Sequence, residues 1–244
     1  MVDGSAGVAL MAPRVQSLGL RASALRLLYG WRLRGLAAHG PERPLEELVE
    51  FAFSGVRPKI KPWQVRSELL GLLAAVRELR PRRVLEVGTA RGGTLFLFTR
   101  VAAPDATLAS VDLPGGRFGG GYPSSRKVLY EAFALPEQRL HLLRADSHSD
   151  ETRREVETLL AGEPLDFLFI DGDHTYDGVK RDFEVYGPLV RSGGLVAFHD
   201  VAQSSAEAAH QVARFWAEVK SKGSWRELIE RPDQGRMGVG LLTV

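Results

Sequence analysis

The chain has 244 residues, of which 44% are hydrophobic and 25% charged, with a net charge of +2 and no cysteine. That length suits one domain with a sizeable core, the near-neutral balance gives no electrostatic footprint for nucleic acid, and the missing thiols remove disulfides, thiolate metal sites and cysteine nucleophiles. No apolar run approaches the ~20 residues that span a bilayer, and no secretory pattern is seen, so a cytoplasmic enzyme is expected.

Between Asp3 and Glu42 there is no acidic residue, while Arg14, Arg21, Arg26, Arg32 and Arg34 alternate with Leu18, Leu20, Leu25, Leu27, Leu28, Tyr29, Trp31 and Leu33. The pattern suits a basic amphipathic helix in weak contact with a membrane surface or a partner, and it shares Arg-rich, acid-poor character with transit peptides. A loosely docked appendage is the plainer reading, because such patterns are common. Residues 41–62 are punctuated by Pro41, Pro44, Pro58 and Pro62, with a short helix expected over 45–53. A boundary is therefore expected there, dividing a helical, basic appendage at 1–62 from a main domain at 63–244.

After Pro62 the pattern becomes regular. Trp63, Leu69, Leu72, Leu73, Val76 and Leu79 recur at helical spacing until Pro81. Apolar strand-like runs follow at 84–87, 108–111, 140–143, 167–170 and 195–198, separated by helical stretches near 93–102, 124–134, 150–161, 177–190 and 204–221. Continuous apolar strands alternating with helices predict an α/β fold, a doubly wound and mostly parallel sheet covered on both faces. Two last strands, at 225–229 and 237–242, are joined through Pro232, Asp233 and Gly235 and predict a closing antiparallel hairpin, giving seven strands in all.

In such a sheet, ligands sit beyond the carboxyl ends of the strands. Those ends read Glu86-Val87-Gly88-Thr89, Val111-Asp112, Arg144-Ala145-Asp146-Ser147, Ile170-Asp171-Gly172-Asp173-His174 and Phe198-His199-Asp200. In the first, Gly88 permits a tight turn and Gly92 a close approach before the next helix. A P-loop would need Gly-Lys-Ser/Thr, which is absent, and in a dinucleotide fingerprint Ala90 stands where the second glycine belongs. A ligand carrying an amino-acid carboxylate and amine remains, and Glu86 suits the amine; a turn without ligand is the bland alternative. Asp112 lies 20 residues after Gly92, the distance at which a carboxylate accepts ribose hydroxyls in dinucleotide sites, although an aspartate there also suits a solvated turn. Asp146 and Ser147 suit an adenine edge or, equally, a helix cap. Asp171, Asp173 and His174 crowd after a buried strand, and His199-Asp200 ends the neighbouring one. Such a cluster suits a general base, a metal site or both, whereas either histidine alone would more often be structural.

These motifs, in this order from Val84 to Asp200, resemble the class I S-adenosylmethionine-dependent methyltransferases. The likeness is nearest to small-molecule O-methyltransferases of the catechol and antibiotic- or sugar-tailoring kinds, and it extends to cephalosporin-hydroxylase-like proteins. The resemblance implies that Gly88, Thr89 and Gly92 cradle the methionine part of S-adenosylmethionine, Asp112 the ribose, and Asp146 and Ser147 the adenine. It further implies that Asp171, His199 and Asp200 correspond to the cation ligands of metal-dependent members, with His174 at the position of the base. His199 departs from that pattern, which has an oxygen-bearing residue there. Magnesium prefers oxygen ligands, so His199 points either to a base or to a softer ion such as manganese.

A sulfonium methyl is already electrophilic, so the enzyme has to align an acceptor with it and make that acceptor nucleophilic. An imidazole with a pKa near ~6.5 does this for a hydroxyl. His174, His199 and Asp171 are therefore the expected catalytic groups, acting on a hydroxyl of a small molecule such as a natural product, sugar or catechol. Two rivals stand beside this reading: a non-methyltransferase on the same fold, associated with hydroxylation, and a scaffold that only binds adenosylmethionine. The crowding at 171–174 beside His199 speaks against the scaffold, because binding alone does not need it. A homo-oligomer is compatible with either.

Overall fold

The computed structural model describes residues 35–55, 60–115, 120–202, 211–231, 234 and 237–244. The basic stretch at 14–34, Pro58, the first half of the helix expected at 204–221, and the turn residues Pro232, Asp233 and Gly235 lie outside the described residues.

A short helix, α1 (Leu45–Glu50), runs into a π turn (Phe51–Gly55). Helix α2 (Arg66–Leu79) comes next and closes on Arg80 in the left-handed region, ahead of Pro81. Strands and helices then alternate: β1 (Arg83–Val87), α3 (Gly93–Val101), β2 (Thr107–Asp112), α4 (Lys127–Glu131), β3 (Arg139–Arg144), α5 (Asp150–Leu160), β4 (Leu165–Ile170), α6 (Tyr176–Tyr186), β5 (Val190–His199) and α7 (Val212–Val219). The chain ends in β6 (Ser224–Leu228) and β7 (Val239–Thr243), the expected hairpin. The starts of α5 and α6 are capped in the ordinary way, with the Ser149 and Thr175 hydroxyls accepting from the Thr152 and Gly178 amides.

The seven strands run in the order β3-β2-β1-β4-β5-β7-β6. The first five are parallel, and β7 enters antiparallel against β5, pairing Phe198 with Gly240. Successive side chains on a strand face opposite sides, so Val84, Leu108, Phe167 and Phe169 pack under α2, α3 and α4, while Leu85, Val111, Leu168 and Phe198 pack under α5, α6 and α7. This explains the unbroken apolar strands, whose residues are core on both faces. The strand order reverses between β1 and β4, and the carboxyl ends of β2, β1 and β4 bound the site.

The described part of residues 35–62 shares the first of these cores. Leu36, Leu45, Leu48, Phe51 and Ile60 are buried with Leu69 and Phe96. Arg100, buried on α3, donates to the carbonyls of Leu36, His39 and Phe133. The expected boundary at residue 62 thus runs through a shared core. No helix among the described residues is long and apolar enough to cross a membrane.

Candidate active site

Two adjoining cavities open over the carboxyl edge of the sheet, of about 610 and 440 Å³. Gly88, Asp112, Gly120 and Gly172 line both, so the two form one cleft that crosses the ends of β2, β1 and β4. The smaller cavity reaches Asp146, Ser147 and His148 after β3. The larger contains Thr89 and Thr94 at the glycine turn and Asp171, His174, His199 and Asp200 at the ends of β4 and β5.

The turn after β1 is built around Asp112. Its Oδ2 accepts from the amides of Thr89 at 3.0 Å and Ala90 at 2.6 Å, and its Oδ1 from those of Leu113 and Gly121 at 2.8 and 2.9 Å. Burial nevertheless lifts the carboxyl above its ordinary range, against those four donors. Gly88 has φ +95°, and a Cβ there would lie 2.1 Å from the Asp171 carbonyl, so only glycine lets β1 and β4 close at this point. Ala90 takes φ +43°, which explains how the turn forms without glycine at that position. Gly92 does not line the cleft; a Cβ there would meet the Tyr130 ring at 2.7 Å.

Glu86 also stays out of the cleft. Strand alternation turns it under α3, where it is fully buried and accepts from the hydroxyls of Thr94 at 2.5 Å and Ser110 at 2.8 Å. Burial pushes it up to about 8 despite both donors. Its part is to hold the turn from behind rather than to meet an amine. Asp146 accepts from the His148 amide at 2.9 Å, and the cap of α5 falls to Ser149, which leaves Asp146 and Ser147 on the cavity wall.

At the other end, four titratable groups interlock. His174 Nδ1 lies 2.9 Å from Asp200 Oδ2. His199 Nδ1 lies 2.9 Å from Asp171 Oδ1 and 3.4 Å from Asp200 Oδ1, with neither contact aligned as an ordinary hydrogen bond. For His199 burial works against the charged ring, but the two carboxylates outweigh it and push it up to about 9. His174 is likewise raised: burial opposes, and the bond to Asp200 and the charges of Asp171 and Asp200 prevail. Asp200 adopts φ +62°, a strained backbone for a residue with a Cβ, and its Oδ1 accepts from the Met237 amide.

This arrangement does not fit the expected cation. Asp171, His199 and Asp200 are neighbours, yet His199 directs Nδ1 at the carboxylates and fills the place between them. Among the described residues no group of three or more His, Asp or Glu side chains is disposed to hold a metal ion.

Several site residues carry no motif. Gln64, buried just before α2, donates from Nε2 to Asp171 Oδ2 at 2.6 Å. Trp63 and Lys61 beside it, with Phe53 and Met237, complete the wall of the larger cavity. His148 Nε2 lies 3.3 Å from Asp182 Oδ1, a fully buried carboxylate on α6. Gln64 stands just ahead of α2, between Trp63 and Val65, and no sequence motif marks it.

The family model described as a methyltransferase domain matches residues 85–201, the stretch that holds every one of these strand ends. The match covers 117 of the chain's 244 residues, just under half. Among curated proteins it is 32% identical over 148 residues to the uncharacterized protein y4gI of Sinorhizobium fredii, covering 59% of this chain and 16% of that one. Over 188 residues it is 28% identical to a protein of Mycobacterium sp. (strain JLS) whose name proposes an O-methyltransferase, covering 71% of this chain and 74% of that one. The chain thus spans about a sixth of the first relative's length, and half of a mimivirus relative's.

Solved structures share this fold at low identity. The O-methyltransferase TomG of Streptomyces achromogenes, solved with SAM, aligns with a TM-score of 0.55 and 20% identity over 83% of this chain and 90% of its own. CalS11, a TDP-rhamnose 3'-O-methyltransferase, aligns with a TM-score of 0.56 and 20% identity over 96% of both chains.

Proposed function

We propose that this chain moves the methyl group of S-adenosylmethionine to a hydroxyl of a small molecule, without a metal ion. The observation that carries the reading is the cleft itself. Its adenine end is walled by Asp146 and Ser147, its middle by Asp112 and the Gly88 turn, and its far end by a histidine paired with a buried aspartate. When bound, S-adenosylmethionine supplies an electrophilic methyl: a C–O bond forms, the C–S bond breaks, and its electron pair stays on sulfur.

The residues of the chain do the rest. The turn at Gly88 and Thr89 offers backbone and a hydroxyl to the methionine part. Asp112 stands where ribose hydroxyls would lie. His174, oriented by Asp200, takes the acceptor's proton, and Asp200 stabilises the imidazolium that results. His199 lines the same cavity, and its Nε2 has no hydrogen-bond partner among the described residues, so a bound acceptor oxygen would satisfy it. Gln64 keeps Asp171 in place for His199. The names of TomG, CalS11 and the mycobacterial relative support transfer to oxygen.

The test is calorimetric titration with S-adenosylhomocysteine, followed by methyl transfer to a panel of hydroxyl compounds with and without chelator. Binding that weakens in Asp112→Asn, with transfer unaffected by chelator, is the expected result. Binding of a nicotinamide cofactor in place of S-adenosylhomocysteine would refute the cofactor, and loss of transfer in chelator would refute the metal-free site.

A further inference from the structure

The reading above leaves the outer wall of the larger cavity without a task, and that wall has a definite chemistry. Trp63 is one of the few large apolar side chains that the fold leaves open, 42% exposed, and it lines the cavity. The Arg91 guanidinium rests 5.3 Å from its ring centre, and the Lys61 ammonium 5.8 Å from that of Phe53, another wall residue. Neither Arg91 nor Lys61 has a carboxylate partner among the described residues. The sequence from Ser54 to Val65 contains no acidic residue, and neither does that from Leu113 to Tyr130. Of the cavity's carboxylates, Asp171 and Asp200 bracket His199 at the other end, and Asp112, in the middle, is filled by backbone amides.

Cationic groups with aromatic backing at one end, and a general base at the other, define a polarised slot. An exposed indole offers a planar face at little entropic cost, and a cation near it prefers an anion it can reach over water alone. A ligand positive at the outer end would meet like charge, which is the repulsive half of selectivity.

We propose that the methyl acceptor is a hydroxylated aromatic acid: its ring lies against Trp63, its anionic group meets Arg91 and Lys61, and its hydroxyl reaches His174. The inference rests on the methyl-transfer reading for the hydroxyl, but the anion and ring contacts are independent of turnover. Orientation follows from charge, because the acid is drawn to the cationic wall and held off the carboxylates behind the base.

The experiment has a binding arm and a turnover arm. In the first, protein saturated with S-adenosylhomocysteine is titrated with protocatechuate and with catechol, followed by tryptophan fluorescence and repeated in Trp63→Phe. Protocatechuate is expected to bind about tenfold more tightly or better, as one charge-assisted contact implies, and the quench is expected to disappear in Trp63→Phe. In the second, the ratio of kcat/KM for protocatechuate over catechol is expected to fall about tenfold in Arg91→Gln and in Lys61→Gln. Equal binding of the two compounds, or none, overturns the proposal. So does an unchanged ratio with weakened S-adenosylhomocysteine affinity in Arg91→Gln, since the charge would then serve the cofactor's own carboxylate. Tight, Trp63-dependent binding of protocatechuate without methylation leaves the slot standing and removes the O-methyl reading instead.

Discussion

His174 is raised above the ordinary imidazole value by Asp200 and Asp171, against burial. A base must first be unprotonated, so kcat is expected to climb with pH through a midpoint above ~6.5, the value of a free imidazole. The sign of the effect of Asp200 follows. In Asp200→Asn the bond partner and one charge are gone while burial remains, so the midpoint is expected to move down. His174→Ala is expected to lower turnover by roughly 100-fold or more with S-adenosylhomocysteine affinity retained. A pH–rate profile at saturating substrates checks both, and a midpoint that ignores Asp200 would assign the ionisation to another group. His199 is the contrasting case. Raised to about 9 between two carboxylates against burial, it is expected to stay cationic through the neutral range.

Glu68 makes the equivalent argument at the scale of elements. On α2, buried to 2% exposure, it accepts from the amides of Glu230 and Gly238 and from the Gln234 side chain. This ties the connection between β6 and β7 to the far side of the first core. The same connection delivers Met237 to the cavity wall and its amide to Asp200. Removing the acceptor strands three donors, so Glu68→Ala is expected to destabilise the protein by about 2–3 kcal/mol and to raise the KM of the acceptor. Denaturant titration reads the first and steady-state kinetics the second. Glu68 also shows where sequence reading stops. The helix was legible from Leu69, Leu72, Leu73 and Val76, and the five parallel strands from their apolar runs, because periodicity is local. The role of Glu68 was not, because its partners lie 162 to 170 residues away and an acidic residue in a first turn is ordinary. Asp171, His174, His199 and Asp200 were legible as a cluster since strand ends converge in this fold. Their pairing was not, because which ring nitrogen of His199 faces Asp171 and Asp200 depends on side-chain geometry that no local pattern encodes. The burial of Glu86 under α3 follows from strand alternation, since one step along a strand reverses the face.

For the molecule as a whole, two fully buried groups contribute strongly to the response of stability to pH. Burial pushes Glu86 up to about 8, and Asp171 and Asp200, overcoming burial, lift His199 to about 9. Each therefore keeps a proton in the folded chain that it would release unfolded, Glu86 from its ordinary carboxyl value upward and His199 from about 6.5 upward. The stability owed to the His199 charge is complete below the ordinary imidazole value and is lost as pH rises through about 9. The cost of keeping Glu86 protonated grows over the interval below about 8. Both act in one direction, so the Tm is expected to fall from about pH 5 to about pH 9, and Glu86→Gln to flatten the lower part of that slope. Scanning calorimetry across the range decides it; a Tm that rises toward pH 9 would contradict both assignments. The walls of the larger cavity carry one more implication. The sheet ends supply the turn, the base and its aspartate, while Phe53, Lys61 and Trp63 come from chain that precedes the first strand. Changes in the leading stretch would therefore remodel that wall while the strand ends stayed as they are, and Arg91, just after the turn that follows β1, is where the two meet.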